Sequence, residues 1–231
     1  MLYNNCMSEP DTAADRTDNR TGSHAGLFIT IEGIDGSGKS TQAERLKTAL
    51  QNRNQTVLQL REPGGTRIGE AIRQVLLAKE SDGMSAETEL LLFEAARAQL
   101  VRTVIEPALA AGSIVLSDRF MDSTVAYQGY GRGMDLDLVD RLNAFAIGCC
   151  KPHLTILLDL EPEQAMSRLG SRAGKTDRLD DEGIAFMRRT RDGYLKIAER
   201  DPNRYRILKA DLPEDTLLDQ ILTILKEGFG I

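Results

Sequence analysis

The segment Gly33-Ile34-Asp35-Gly36-Ser37-Gly38-Lys39-Ser40 constrains this chain more than any other. It satisfies the pattern G-x4-G-K-[ST], in which glycines permit a loop whose successive N–H groups turn inward onto phosphate oxygens. Lys39 supplies a point charge near the β and γ phosphates, and the Ser40 hydroxyl can ligate Mg²⁺. The run Leu27–Glu32 reads as a buried strand, and Lys39–Arg53 as an amphipathic helix with Ala43, Leu46, Ala49 and Leu50 on one stripe. A strand before the loop and a helix after it are what the pattern requires, and the helix N-terminus adds its positive dipole end. Lys39 is expected at an exposed loop–helix junction. The motif makes the chain a nucleotide binder but does not say what becomes of the nucleotide.

From Gly26 onward, short β-branched runs alternate with helical patterns. Further strands are expected at Thr56–Leu60, Ser113–Ser117, Leu154–Leu160 and Arg206–Lys209. A helix over Arg67–Lys79 would turn Ile68, Ile72, Val75 and Leu76 inward. Ser85 is a plausible N-cap for a long helix to about Ala111, which Gly112 ends. Helical patterns cover 135–148, 161–170, 181–200 and 214–227. This alternation predicts a parallel sheet covered on both faces. Residues 1–25 are polar and carry no apolar periodicity, so they read as a disordered tail. No interdomain linker appears, which leaves one domain over 26–231.

Charge and cysteine content narrow the function classes. The 231 residues hold 29 Lys plus Arg against 35 Asp plus Glu, a formal charge of −6, which disfavours a broad nucleic-acid footprint. A small polyanion can still bind where a few basic residues converge. Cys6, Cys149 and Cys150 make no disulfide framework, and two vicinal thiols fit a reducing compartment. No apolar run approaches membrane-spanning length and no hydrophobic leader is evident, so the expected location is cytoplasmic with no membrane partner.

Four other segments are candidates for a second anion site and a base pocket. Arg61-Glu62-Pro63-Gly64-Gly65-Thr66 follows the second strand, and ligands of open α/β sheets bind beyond the carboxyl ends of strands; a solvated arginine on a capped turn is the alternative. Phe93 and Arg97 stand at i and i+4 on one helix face, where a ring and a guanidinium could clamp a planar base; a phenylalanine on a helix stripe can equally be core. Asp118-Arg119-Phe120 follows the third strand, placing an acid near Ser40 and the metal and an arginine able to bridge phosphates. Asp122 then reads as an N-cap, with Thr124, Tyr127 and Gln128 at helical spacing, or simply as the start of a plain capped helix. Arg168, Arg172, Lys175 and Arg178 form a basic stretch after the fourth strand. It is either a solvated face or a flap over the phosphates.

Taken together, FITIEGIDGSGKST, REPGGTRIGE, LLFEAARAQ, SDRFMDSTVAYQGYGRG and TDRLDDEG resemble thymidylate kinase of the bacterial type, from about Leu27 to the C-terminus. The resemblance implies an α/β fold, a P-loop NTPase-type three-layer αβα arrangement with a five-stranded parallel sheet and helices on both faces. It implies ATP-dependent phosphorylation of dTMP to dTDP in dTTP biosynthesis, with Mg²⁺, by a homodimer. ATP would lie on Gly33, Ile34, Asp35, Gly36, Ser37, Gly38, Lys39, Ser40 and Thr41, with Ser40 and Asp118 toward the metal. Arg61, Arg73, Phe93, Arg97, Arg119, Ser123, Thr124 and Gln128 would surround dTMP. Phe93 would stack on thymine, Arg97 would face its carbonyl edge, and Arg61 and Arg119 would hold its phosphate. Asp35 would lie near the acceptor sugar or phosphate, and Tyr127 would crowd the 2′ position. Members of the family carry a catalytic arginine either in the P-loop or in the lid. The loop interior here has no basic residue, so a lid at about 168–180 must supply it, with Arg172 and Arg178 as candidates beside Lys39, Arg119 and Asp118. The rivals are a P-loop kinase for another nucleoside monophosphate and a P-loop switch or assembly ATPase.

Overall fold

In a computed structural model that describes residues 26–170 and 183–231, the run Leu27–Glu32 forms β1 at the centre of a parallel sheet. The tail expected over residues 1–25, and the lid residues Arg172, Lys175 and Arg178, lie outside the described residues. The other strands are β2 (Val57–Arg61), β3 (Ile114–Asp118), β4 (Leu154–Asp159) and β5 (Tyr205–Lys209), in the order β2-β3-β1-β4-β5. Side-chain alternation along β1 explains why both sheet faces must be covered. Phe28 packs with Leu100, Val101, Ile105 and Phe120 in one core, and Ile29 and Ile31 join Ala43, Leu46 and Leu50 in another.

The helices that cover the sheet are α1 (Lys39–Gln51), α2 (Arg67–Leu77), α3 (Ala86–Leu100), α4 (Glu106–Ala110), α5 (Met121–Thr124), α6 (Leu136–Ile147), α7 (Pro162–Gly170), α8 (Ile184–Arg200) and α9 (Glu214–Phe229). Ser85 caps α3 as expected, its side chain accepting from the Thr88 N–H. The long helix after it reaches Ala110, but Val101–Ile105 widens into a π-turn between α3 and α4.

Register brings the functional ends together. Ile31 of β1 and Arg61 of β2 are both level with Asp118 of β3. Glu32, Arg61 and Asp118 therefore leave the sheet along one edge. The chain moves to one side of β1 for β2 and β3 and to the other for β4, so this edge is also a topological switch point.

Two local expectations are corrected. In α2, Gly69 and Leu76 face inward while Ile68 and Val75 are about half exposed. Leu76 is buried and Ile72 half-buried as expected, but Gly69 takes the inward place expected of Ile68, and Val75 turns outward. Gly69 sits so close to the Gly64 carbonyl that a Cβ there would approach within 2.8 Å, which fixes the rotation of the helix. Asp122 is not a cap. It lies inside α5, 1% exposed, with Phe120 at the N-cap position, and its carboxylate is held by Arg204 Nη1 at 2.5 Å and Nη2 at 2.9 Å.

The Asp122–Arg204 pair extends into a polar layer beneath the sheet. Arg204 Nη1 also donates to Thr155 Oγ1 at 2.7 Å, which is 2.8 Å from Thr30 Oγ1. Removing one member of a buried pair strands the other charge. Arg204→Ala is therefore expected to cost about 3–5 kcal/mol by denaturant unfolding. A loss of about 1 kcal/mol or less, the worth of an exposed cap, would show that Asp122 is not left as a stranded buried charge.

Candidate active site

The glycine loop runs from the end of β1 into α1 in a conformation that its sequence dictates. Gly33 and Gly36 have φ of +143° and +83°, and a Cβ would come within 2.6 Å of the Leu158 carbonyl and 2.7 Å of the Ala165 carbonyl. No residue with a side chain fits either place without moving backbone. The loop forms one wall of a cavity of about 680 Å³. Asp35, Gly36, Ser37, Gly38, Lys39, Ser40 and Thr41 all line it, and Ser37 Oγ is buried without a hydrogen-bond partner. Gly33 and Ile34 do not line it. Ile34 joins the core instead, and its carbonyl accepts from Lys39 Nζ at 2.8 Å.

Lys39 corrects the expectation of an exposed junction, since it is only 6% exposed. Burial, and then repulsion from Arg119, lowers its ammonium to about 8, against the pull of Asp35 and Asp118. Ser40 Oγ donates to Asp118 Oδ2 at 2.5 Å, so the acid at the end of β3 and the loop hydroxyl do converge. Among the described residues no group of three or more His, Cys, Asp and Glu side chains forms a metal cage. Two hard oxygen donors beside a phosphate cradle suit Mg²⁺ carried by a nucleotide, which keeps water and phosphate as its other ligands.

Arg119 joins the loop to the other half of the cavity. Its Nη2 donates to Asp35 Oδ1 at 2.5 Å and to Tyr127 Oη at 3.0 Å, and its Nη1 donates to Ser123 Oγ at 3.2 Å and the Gly33 carbonyl at 3.3 Å. Tyr127 Oη in turn donates to Asp35 Oδ2 at 2.7 Å. Burial opposes ionisation of Asp35, but Arg119 and Lys39 outweigh it and hold the carboxyl well below the usual range.

All the residues expected around the acceptor line this second half: Arg61, Arg73, Phe93, Arg97, Arg119, Ser123, Thr124, Tyr127 and Gln128. Arg61 lies half exposed at the mouth, donating to the Pro63 carbonyl and to Glu70, and Arg73 donates to the same carbonyl. Phe93 is half-buried and belongs to neither apolar core. Arg97 differs from expectation. It is 2% exposed, and its nitrogens already donate to Glu62, Glu94, Thr124, Asn143 and the Phe120 carbonyl. It is a fixed part of the wall rather than a free arm. The segment bearing Tyr127 and Gln128 is a π-helical turn, Val125–Gly131, rather than a plain α-helix. Gln128 Nε2 donates to Glu89, which Arg132 also grips.

Sequence reasoning missed several residues. Glu32 is fully buried at the end of β1, and burial together with nearby Asp122 pushes its carboxyl up to about 7. An acid closing an apolar strand was the available signal. Tyr194 of α8 reaches it from a distant helix with no local signature. Arg168, which the sequence put in the basic stretch after β4, was not missed; it donates to the Ala210 carbonyl at 3.0 Å and the Gly36 carbonyl at 3.4 Å. With Leu169, Ala210, Leu212 and Leu217 it makes a largely apolar floor beyond the loop.

A family model described as thymidylate kinase matches residues 31–221. The thymidylate kinase of Desulforudis audaxviator (strain MP104C) is 51% identical over 188 residues, covering 81% of this chain and 84% of that protein. That of Kosmotoga olearia is 44% identical over 210 residues, covering 89% of this chain and 100% of that protein. A crystal structure of thymidylate kinase from Ehrlichia chaffeensis superposes with a TM-score of 0.71 at 34% identity, covering 87% of this chain and 99% of that one.

The lowered Lys39 gives a proton-linkage expectation. Below about pH 8 the ammonium is charged, and above it the free protein increasingly holds neutral amine. A bound polyphosphate favours the charged form. ATP binding at pH 8 should therefore take up a proton, seen as a dependence of calorimetric enthalpy on buffer ionisation heat. Affinity should fall as pH rises through 8. Enthalpies independent of buffer at pH 8 would place the amine outside the phosphate site.

Proposed function

The chain belongs to the thymidylate kinase family, and we propose that the cavity phosphorylates dTMP to dTDP at the expense of ATP. The observation that carries this reading is Phe93, an aromatic ring outside both cores that lines the half of the cavity opposite the phosphate loop. In the proposed division of work, thymine stacks on Phe93, with Arg97, Thr124 and Gln128 along its polar edge. Arg61 and Arg119 take the acceptor phosphate. Asp35 and Tyr127 border the sugar, where the bulk of Tyr127 disfavours a 2′-hydroxyl. The ATP phosphates lie on the loop N–H groups and Lys39, and the adenine lies over Arg168, Ala210 and Leu212.

The acceptor phosphate has a second pKa of about 6, so it is mostly a dianion at neutral pH and needs no general base. One of its oxygens attacks the γ-phosphorus, the bond to the β–γ bridging oxygen breaks, and ADP leaves. The barrier is largely repulsion between polyanions, which Lys39, Arg119 and Arg61 offset. Bound with the nucleotide, Mg²⁺ would be held by Ser40 and Asp118 and would neutralise β- and γ-phosphate charge. Arg172 and Arg178 remain the proposed source of the further positive charge that transfer needs, with Lys175 as a third candidate. The reading carries a cytoplasmic location. No described helix is long and apolar enough to cross a membrane.

A homodimer belongs to the same proposal. Helices α2, α3 and α6 pack in series, and Ile68, Val75, Leu91, Leu138 and Phe145 stand exposed on them. Light scattering should give twice the chain mass, and Phe145→Lys should shift it toward the monomer. A monomeric wild type would end this part of the reading.

Two measurements test the activity. Among nucleoside monophosphates, dTMP should stimulate ADP production most; equal turnover of AMP, GMP and dTMP would reject the assignment. Phe93→Ala should weaken dTMP by roughly tenfold to a hundredfold or more, the worth of base stacking, with ATP affinity unchanged. Equal weakening of both nucleotides, or a stability loss of about 3–5 kcal/mol without selectivity, would instead make Phe93 a core residue.

A further inference from the structure

Glu32 touches neither of the proposed nucleotide positions, yet three donors converge on its buried carboxylate. The Phe120 N–H donates to Oε1 at 2.7 Å. Ser123 Oγ and Tyr194 Oη donate to Oε2 at 2.6 and 2.9 Å. All three surround Arg119, whose φ is +71°, a conformation that residues with side chains rarely adopt. The peptide groups flanking that turn are tied to the end of β1. The Arg119 N–H donates to the Ile31 carbonyl at 3.0 Å, and the next N–H is the one that Glu32 accepts.

The same two hydroxyls also meet the guanidinium, with Ser123 Oγ and Tyr194 Oη accepting from Arg119 Nη1 at 3.2 and 3.4 Å. An ionised carboxylate only accepts, so it draws hydroxyl protons toward itself and leaves oxygen lone pairs facing the cation. An amide in its place would offer an N–H₂ to those oxygens and turn their protons toward Arg119. We propose that Glu32 is a positioning residue that sets Arg119 for the acceptor phosphate, by pinning the Phe120 N–H and by orienting the Ser123 and Tyr194 hydroxyls. The proposal rests on the reading of Arg119 as the acceptor-phosphate ligand.

The test is a double-mutant cycle of Glu32→Gln with Arg119→Lys, assayed at pH 8, where a carboxyl titrating near 7 is ionised. Glu32→Gln keeps the side-chain shape, and melting curves report folding separately. It should lower kcat by about 10- to 100-fold with the KM for ATP within about twofold. On the Arg119→Lys background the same change should cost less than about threefold more, because its route of action is already broken. Full multiplication of the two effects, or a Glu32→Gln enzyme with kcat within about threefold of wild type, overturns the proposal. If Glu32→Gln fails to fold, Tyr194→Phe in the same cycle decides, with coupling expected and independence overturning. Near-normal kcat in Arg119→Lys and Arg119→Met alone would instead remove the reading of Arg119 itself.

Discussion

The ion pair between Asp35 and Arg119 is the interaction on which the site depends. Asp35 comes from the loop after β1, and Arg119 from the turn after β3, so the pair ties the glycine loop to the part of the cavity lined by Phe93 and Arg97. Register makes this possible, because β1 and β3 end level with each other. The pair also sets the local electrostatics. Arg119 lowers Lys39 and holds Asp35 ionised, and Asp35 keeps Arg119 charged despite burial. A cation fixed in this way is already oriented when substrate arrives and needs little reorganisation, which is the basis of electrostatic preorganisation.

The same device recurs in the cavity wall and in the core. Arg97 is clasped by Glu62 and Glu94, and Arg204 by Asp122 and Asp201. Buried ion pairs gain little net stability, because desolvation offsets most of the attraction. Their effect here is geometric. Arg97 holds the cis-linked Glu62–Pro63 segment, Thr124, Asn143 and the Phe120 carbonyl in one place, so the pocket wall is assembled from α3, α5, α6 and the end of β2 around a single guanidinium. In the proposed reaction, rigid walls matter because two repelling anions must be held in line.

Much of this was legible in the sequence. The strand–loop–helix unit around Gly33–Ser40 can be read because glycine placement, apolar runs and the Lys-Ser pair are local signals. Strand positions followed from β-branched runs, and the segments after β2 and β3, together with the helix face of Phe93 and Arg97, line one cavity with the glycine loop. What was not legible depends on tertiary contacts. Ile68 and Val75 follow helical periodicity, but the rotation of α2 is decided by Gly69 against Gly64. Asp122 has the composition of a cap and becomes a buried partner only because Arg204 arrives from 82 residues away. Glu32 and Tyr194 meet across 162 residues. The π-turn at Val125–Gly131 has no period that a helical stripe would reveal.

The central claim is that Arg119 joins donor and acceptor at the reacting phosphate. Single-turnover transfer from ATP to dTMP, with both substrates saturating, tests it most directly. Arginines that complete a phosphoryl-transfer site contribute about 10³–10⁵ in rate. Arg119→Met should therefore slow the transfer step by at least about a thousandfold while ATP alone still binds with near wild-type affinity. A transfer rate within about tenfold of wild type would contradict the account, because the cation at its centre would then be dispensable to the chemistry.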